Sequence, residues 1–499
     1  MNLAAILEAS ARVFPERAAV VSQGKEYSYA YLNHRADLAA AALTKLGLRP
    51  GERVGLCLPA SVDWPALYFG IMKAGGTALT LFHNLTAREL AQLVADGTPS
   101  FLFLEGGRLS DLGDRSSRPY LRTVVAGDGD LDWKGFWGMN VSGRVMVDRE
   151  RDDPAAILYT GGSTGAPKGV ILSHANILSS AHNVAWAERS TERDRALCFL
   201  PLNHVFGQIH IMASTILTAG ALVLLPGFDL DRVLGSLADF GVTKFYAVPT
   251  VYVRLLELGD LGKKLAGVSY TFSAAASMAR EVVNEWKTRT GLSIHEAYGM
   301  TETASMVTYN HFHRHVVGSV GTPAGTVEVA IMDPEGRKVE IGQEGEICVR
   351  GPNVMTGYLN KPGETRAAFR AGWLRSGDVG LLDEKNYLFI VDRLKDMIIT
   401  GGENVYPREI EEILHEQPEI LECSVVGVPD REYGEKVTAV VVLKPGATLD
   451  PARLKAVLRG RLSPYKTPRE FIVVDELPKS PTGKILKREI RQDLAAGKK

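Results

Sequence analysis

The alternation of apolar and polar positions divides the first part of the chain into short strands and helices. Apolar runs at 53–58 and 100–104 predict buried strands, and the segment 63–73 between them predicts a helix. The same pattern returns with a strand at 244–248 and a helix at 279–290. Strands that alternate with helices are typical of layered α/β structure with largely parallel sheets.

Two later changes of pattern predict further units. Two alternating segments between 327 and 350 flank a turn at 333–336, as antiparallel strands do, and predict a small β subdomain. After Lys395 the pattern predicts a compact α+β unit, built from a helix at 407–415, strands at 422–428 and 436–443, a helix at 451–462 and a strand at 470–474. The expected fold is therefore α/β, with a large N-terminal domain of layered subdomains at 1–394 and a small α+β domain at 395–499.

The most apolar stretch, 209–228, is interrupted by polar residues, glycine and proline, so it predicts a buried helix, a turn at 219–220 and a buried strand. The N-terminus has neither the basic segment nor the apolar core of a signal peptide. No cysteine pair has CxxC spacing, which favours buried thiols in a reducing compartment. We therefore expect a cytoplasmic protein without a transmembrane segment.

Composition narrows the possible partners. The 57 Lys and Arg residues balance 58 Asp and Glu residues, which gives a formal net charge of −1. Without an excess of positive charge, binding to nucleic acid is not expected. The 50 glycines exceed the usual share of about 7%, and a dense group of them lies in one loop.

That loop, 159–169, reads Tyr-Thr-Gly-Gly-Ser-Thr-Gly-Ala-Pro-Lys-Gly and follows a predicted strand at 155–158. Glycines let a backbone approach a ligand closely, while hydroxyl and N–H groups bind phosphate oxygens and Lys168 adds charge. The kinase-type phosphate loop is disfavoured because Gly169 follows Lys168 where that motif requires Ser or Thr.

Together with five further motifs in the same order, this loop resembles that of the adenylate-forming superfamily of acyl-CoA synthetases, firefly luciferase and peptide-synthetase adenylation domains. The family loop usually has serine where Gly161 stands and threonine where Ser163 stands, and the Gly-Gly form resembles some long-chain fatty acyl-CoA ligases. The further motifs are Leu-Pro-Leu-Asn-His at 200–204, Tyr-Gly-Met-Thr-Glu at 298–302, Ser-Gly-Asp at 376–378, Asp-Arg-Leu-Lys-Asp at 392–396 and Pro-Thr-Gly-Lys at 481–484.

The resemblance implies ATP, Mg²⁺ and CoA as small-molecule partners and assigns residues to the first step. Lys484 is the implied catalytic lysine of adenylation, with Thr301, Glu302 and His204 as further catalytic residues. Thr164 and Glu302 are the implied Mg²⁺ ligands. The implied ATP-binding residues are Thr160, Gly161, Gly162, Ser163, Thr164, Gly165, Lys168, Ala275, Tyr298, Thr301, Asp378, Arg393 and Lys484.

The resemblance also implies that the small domain rotates between two half-reactions about Lys395. The loop after this hinge would then approach CoA, where glycines leave room for a pantetheine arm. The implied CoA-binding residues are Gly401, Gly402, Tyr433, Tyr465 and Arg469. Thr467 stands where some relatives have a basic residue.

The acyl pocket is expected to be small-walled and uncharged, which suits an apolar acyl or aryl group. Malonate-type relatives have an arginine where Ala297 stands, and amino-acid-activating relatives have an aspartate near the segment that holds His204, so both substrates are disfavoured. The expected lining residues are His204, Val248, Ser273, Ala274, Ala297 and Gly299.

The predicted function is an ATP-dependent carboxylic acid–CoA ligase that acts through an acyl adenylate. An adenylating enzyme with an amine or a carrier protein as acceptor is the main alternative. A non-catalytic nucleotide-binding protein and a luciferase are less favoured. The acid and the pathway stay open, and a homodimer is compatible with the sequence.

Overall fold

Apart from the side chain of Arg115, the computed structural model of the protein describes residues 1–160, 167–274, 276, 278–394, 396–480 and 484–496. Two seven-stranded sheets dominate the N-terminal part. The first is parallel apart from one terminal hairpin. Its strands lie in the order Ile294–Glu296, Tyr270–Ser273, Lys244–Ala247, Arg195–Cys198, Ala221–Leu224, Ala18–Ser22 and Lys25–Ser28.

The second sheet is parallel in its centre and antiparallel at the edge that carries the phosphate loop. Its strands lie in the order Gly357–Tyr358, Lys168–Ser173, Pro154–Thr160, Thr77–Thr80, Arg53–Cys57, Phe101–Leu104 and Thr123–Val125. One apolar core contains residues of both sheets, such as Leu222 of the first and Phe103 of the second.

The third sheet is antiparallel and corresponds to the predicted β subdomain. It pairs Glu328–Met332, Gly345–Arg350, Trp373–Leu382 and Phe369–Arg370 in that order, with Leu388–Arg393 beside Trp373–Leu382. Between the first sheet and the third sheet, the chain forms two short antiparallel strand pairs. They join Gly299–Met300 to Ser305–Met306 and Thr308–Tyr309 to Thr322–Pro323.

The fourth sheet belongs to the C-terminal part. Its order is Glu403–Val405, Ile398–Thr400, Gly434–Leu443 and Ile420–Asp430, and Glu470–Val473 runs parallel beside Gly434–Leu443. Residues between Ile398 and Ile490 form apolar clusters separate from the core of the two large sheets. The division into domains at Lys395 stays a prediction, because Lys395 itself lies outside the described residues.

Helices cover the faces and ends of the sheets. The α-helices are Ala5–Val13, Tyr29–Lys45, Asp63–Lys73, Ala87–Gly97, Trp133–Trp137, His174–Ala187, Ser214–Leu217, Leu230–Asp239, Pro249–Leu256, Leu261–Lys264, Arg280–Thr290, Pro362–Ala368, Pro407–His415, Pro451–Arg459 and Lys487–Ala495. Short 3₁₀ helices lie at Leu109–Leu112, Arg115–Ser117, Thr301–Thr303 and Pro464–Lys466, and Phe206–Ala213 is a π-helix.

The α/β fold class is confirmed, with local differences at element ends. The helix predicted over 451–462 ends at Arg459, because Gly460 follows. The apolar stretch 209–228 contains the end of the π-helix and a turn in which Ala219 has a φ of +59°. Within the described part of the chain, no helix is both long and apolar enough to cross a membrane. All four cysteines are buried and free.

Candidate active site

The expected acyl pocket lies where neighbouring strands of the first sheet end. Ala247 is paired with Ser273, and Ser273 with Glu296, so the three strands end at one level. The residues that follow, among them Val248 and Ala297, therefore meet at the carboxyl edge, where ligands of open α/β sheets bind. The expected lining residues here are Val248, Ser273, Ala274 and Ala297, of which Val248 and Ser273 are buried.

A tight hairpin beside this edge carries Thr301 and Glu302. Gly299 pairs with Met306, and a Cβ on Gly299 would lie 1.5 Å from the Ser305 carbonyl oxygen. Only glycine allows the two strands to approach this closely. The 3₁₀ turn that joins the strands therefore presents its threonine and glutamate from a fixed frame.

Three of the expected nucleotide-binding side chains are in direct contact. The Tyr298 hydroxyl donates to Asp378 Oδ2 over 2.6 Å, and Arg393 Nε lies 3.2 Å from Asp378 Oδ1. Asp378 and Arg393 face each other across adjacent strands of the third sheet. Burial, and then the Asp378 carboxylate, raises the pKa of Tyr298 well above its usual value, so this hydroxyl remains a donor. The arrangement provides an aromatic ring beside a carboxylate that can accept ribose hydroxyls.

Two strands of the second sheet flank the glycine-rich segment 159–169 that is predicted to bind phosphate. Thr160 and Lys168 face each other in the antiparallel register, and the Thr160 hydroxyl lies 3.5 Å from the Lys168 carbonyl oxygen. The Lys168 ammonium forms an ion pair with Glu364. The predicted ligands Gly161, Gly162, Ser163, Thr164 and Gly165, like Ala275 in the pocket, lie outside the described residues.

The Glu302 carboxylate offers hard oxygen donors of the type that Mg²⁺ binds. Glu302 Oε1 accepts a hydrogen bond of 2.8 Å from the Tyr358 hydroxyl, and the neighbouring Thr301 is buried. Among the described residues no group of three or more His, Cys, Asp or Glu side chains forms a metal site. Mg²⁺ is usually held by one or two carboxylates together with substrate phosphates, so a lone Glu302 fits this ion.

Lys484 of the C-terminal part lies near His204 of the N-terminal part. The Phe206 amide donates to His204 Nδ1 over 3.2 Å. Burial, and after it the charge of Lys484, lowers the pKa of His204 to about 4. The Lys484 amide donates to Ser480 Oγ over 3.1 Å, and the Lys484 carbonyl accepts from the Ser480 amide over 2.8 Å. The predicted catalytic lysine and the predicted acyl gate are thus placed together.

Most of the expected CoA-binding residues form one group on the C-terminal part. Gly401 and Gly402 have φ angles of +60° and +86° in a two-residue turn between strands, which favours glycine at both positions. The Gly401 amide donates to the Tyr433 carbonyl over 2.8 Å, and the Arg469 guanidinium carbon lies 3.6 Å from the centre of the Tyr433 ring. Tyr465 is 40% exposed in a separate short helix. The turn alone accounts for both glycines, so their part in CoA binding stays a prediction.

Arg408 ties the C-terminal part to the third sheet. The Arg408 amide donates to Asp392 Oδ2 over 3.0 Å, and its guanidinium donates to the Ile390 carbonyl over 2.5 Å. Within the C-terminal part, Arg491 donates to the Asp396 carbonyl over 3.2 Å. The Arg408 bonds therefore hold the C-terminal part in the arrangement in which the charge of Lys484 acts on His204.

Two sets of side-chain contacts were not predicted from the sequence. Tyr358, which binds Glu302, is 56 positions away from it, and no motif links the two. The buried carboxylate of Glu188 accepts hydrogen bonds from His210 Nε2, Tyr246 and Lys244 at 2.7, 2.5 and 3.2 Å. Burial would raise the pKa of Glu188, but these partners hold it below its usual value. The polar His210 within an apolar stretch was the one sequence signal of this network.

A large α/β part followed by a small α+β part is the arrangement of a known family of enzymes. The chain matches the AMP-binding enzyme family over residues 7–359 and the AMP-binding enzyme C-terminal domain over residues 409–484. It therefore belongs to the AMP-binding enzyme family, and the predicted adenylate-forming superfamily is confirmed.

Similar proteins are CoA ligases. The chain is 34% identical to a long-chain-fatty-acid–CoA ligase of Bacillus subtilis (strain 168). The alignment, 529 positions long with its gaps, covers 99% of this chain and 94% of the relative. The crystal structure of ATP-bound MatB from Rhodopseudomonas palustris superimposes with a TM-score of 0.92 at 34% identity and covers 100% of both chains. The anthranilate CoA ligase AuaEII in complex with anthranoyl-AMP gives a TM-score of 0.94 at 28% identity and covers 100% of this chain and 98% of that one.

Proposed function

We propose that the protein joins an apolar aliphatic or aromatic carboxylic acid to CoA in two steps. In the first, a carboxylate oxygen attacks the α-phosphorus of ATP, and the bond to pyrophosphate breaks. In the second, the CoA sulfur attacks the acyl carbonyl carbon, and AMP leaves. The observation that carries this proposal is the direct contact of Tyr298 and Arg393 with the Asp378 carboxylate, a group that would bind the nucleoside beside the carboxyl edge of the first sheet.

The residues divide the first step between them. Tyr298, Asp378 and Arg393 would hold the nucleoside, and Thr160 and Lys168 would flank its phosphates. The Lys484 ammonium would neutralise charge between the acid and the α-phosphate as the new bond forms. Glu302, together with Thr164, would hold Mg²⁺, which when bound shields phosphate charge.

An apolar acid is favoured by the walls of the pocket. Val248, Ser273 and Ala297 bring no fixed charge to the carboxyl edge, and Ala297 directly precedes the nucleoside-binding Tyr298. Two similar proteins are named for a long-chain fatty acid and for anthranilate, so the class includes both aliphatic and aromatic acids. CoA is proposed as the acceptor of the acyl group in the second step, in which it would approach Gly401, Tyr433 and Arg469.

The proposal is tested by following both half-reactions with a panel of fatty and aromatic acids. We expect acid-dependent exchange of pyrophosphate into ATP, and discharge of the adenylate as a thioester when CoA is added. Exchange without a thioester from any acid would overturn CoA as the acceptor and favour an amine or a carrier protein. Absence of both exchange and a hydroxylamine-trapped adenylate would favour a non-catalytic nucleotide-binding protein.

The proposal extends to the setting of the enzyme. Four free buried thiols fit a reducing cytoplasm. We propose a homodimer, which light scattering of the purified protein would test. A mass of one chain, 54.2 kDa, across micromolar concentrations would contradict this assembly.

A further inference from the structure

One aromatic side chain connects the two charged groups that are expected to face the phosphates of ATP. The Tyr358 hydroxyl donates to Glu302 Oε1 over 2.8 Å. The Lys168 ammonium lies 5.0 Å from the centre of the same ring. Tyr358 therefore contacts both the predicted metal ligand and the predicted phosphate-binding lysine.

Tyr358 is itself held firmly by its surroundings. It pairs with Val170 in the edge strand Gly357–Tyr358, and its amide donates to Thr365 Oγ1 over 2.9 Å. Thr365 lies in the helix Pro362–Ala368 and donates in turn to the Lys361 carbonyl over 3.0 Å. The ring thus has a fixed position relative to the strand that begins with Lys168.

The two contacts have different chemistry. The Tyr358 hydroxyl is the donor in its bond to the Glu302 carboxylate. Such a charge-assisted bond fixes the orientation of the carboxylate. The ring face attracts the Lys168 cation without neutralising it. The ion pair of Lys168 is made with Glu364, which also lies 3.3 Å from Lys361 Nζ.

We infer that Tyr358 is a positioning residue for adenylation, which orients Glu302 through its hydroxyl and Lys168 through its ring. This inference rests on the proposed roles of Glu302 and Lys168. Groups that orient a metal ligand from behind typically change metal affinity or activity about 10- to 100-fold when removed. The hydroxyl should therefore affect the magnesium dependence, and the ring should affect ATP binding without magnesium.

The variant Tyr358→Phe removes the hydroxyl and keeps the ring. We expect the magnesium concentration for half-maximal pyrophosphate exchange to rise about tenfold. In calorimetry, the affinity for ATP without Mg²⁺ should stay within about twofold of wild type, while the gain in affinity on adding Mg²⁺ shrinks. The matched control is Tyr387→Phe, which loses a buried hydroxyl bond of 2.6 Å to the Arg314 carbonyl and should keep wild-type values.

Two further variants separate this inference from the proposed function. Glu302→Gln should lose the magnesium dependence outright, and a wild-type dependence in that variant would contradict the metal-binding role of Glu302 and with it the inference. If Glu302→Gln loses the dependence and Tyr358→Phe keeps it, the role of Tyr358 alone is wrong.

Tyr358→Leu removes the ring, and we expect it to weaken ATP binding without Mg²⁺ about fivefold, given a cation–π contact of roughly 1 kcal/mol. Unchanged binding in a folded Tyr358→Leu protein would contradict the contact with Lys168. If Tyr358→Phe weakens ATP binding equally with and without Mg²⁺, the hydroxyl supports only the fold, and the inference is wrong.

Discussion

At the scale of residues, the predicted site contains polar and charged side chains that lie in contact or close to each other. Tyr298 and Arg393 both contact the Asp378 carboxylate, which keeps an acceptor in place for ribose hydroxyls. Lys484 and burial together keep His204 neutral. A neutral histidine at this edge would leave Lys484 to supply positive charge to the reacting carboxylate in the proposed first step.

The pairing of His204 with Lys484 predicts a change in a measurable pKa. Replacing Lys484 with Gln removes the nearby cation, so the pKa of His204 should rise from about 4 towards its usual value, although burial keeps it low. Titration of ¹³C-labelled histidine by NMR measures this directly. An unchanged pKa of His204 would show that Lys484 does not lie beside it.

The same depressed pKa gives the sign of a pH effect on stability. Because the folded pKa of His204 is below the unfolded value of about 6.5, stability from neutral His204 is complete above pH 6.5 and is lost as the pH falls towards 4. His204→Asn should therefore lose less stability than wild type between these two values in urea unfolding. Parallel losses in both proteins would contradict the burial of a neutral imidazole.

The Asp378 carboxylate is expected to contribute to ATP binding through its charge. Asp378→Asn keeps the shape but weakens charge-assisted bonds, so the KM for ATP should rise about tenfold in pyrophosphate exchange. Asp383→Asn, in the nearby turn of the same sheet, is the control and should keep the wild-type KM. Equal KM values for both variants would contradict a role of Asp378 in ATP binding.

At the scale of elements, the site depends on where strands end and how closely they approach. The helices Asp63–Lys73 and Pro407–His415 agree with their predicted limits, because apolar spacing is clear and glycine or proline marks an end. The buried helix predicted within 209–228 is present, but its start at Phe206 and its π geometry were not predicted, since a largely apolar segment has little periodicity to read. The motifs identified the expected site residues, whereas the contact between Tyr358 and Glu302 depends on a tertiary approach that no local pattern encodes.

The hairpin that carries Glu302 should be sensitive to one added methyl group. In Gly299→Ala, the Cβ would overlap the Ser305 carbonyl oxygen, so we expect a loss of about 3 kcal/mol in the free energy of unfolding and loss of exchange activity. The control is Gly235→Ala in the helix Leu230–Asp239, where no atom lies within 4 Å of an added Cβ. That variant should gain up to about 1 kcal/mol. A stable, fully active Gly299→Ala protein would contradict the close approach.

At the scale of the whole molecule, the proposed active site combines residues of the large N-terminal part with Lys484 of the C-terminal part. Arg408 binds the Ile390 carbonyl and, through its amide, Asp392, on the strand that precedes the predicted hinge. These bonds favour the arrangement in which Lys484 reaches the acyl edge. In the proposed second step, the C-terminal part would have to leave this arrangement.

Loosening this contact should therefore affect the two half-reactions unequally. Arg408→Ala should lower pyrophosphate exchange about tenfold, since hydrogen bonds of charged groups contribute roughly 1.5–3 kcal/mol, and should spare thioester formation from supplied acyl-AMP. The control is Arg461→Ala, which breaks an ion pair with Glu416 within the C-terminal part. Equal loss in both half-reactions would contradict a contact specific to adenylation.

Lys484 is proposed to serve adenylation and to be dispensable for thioester formation. The most direct measurement follows both half-reactions in Lys484→Ala with the acid that drives exchange best in the wild type. We predict that acid-dependent exchange falls by at least about a hundredfold, in line with the loss of a group that stabilises transition-state charge. Acyl-CoA formation from supplied acyl-AMP should stay near the wild-type rate. Equal loss of both half-reactions, or retention of exchange, would contradict this role of Lys484.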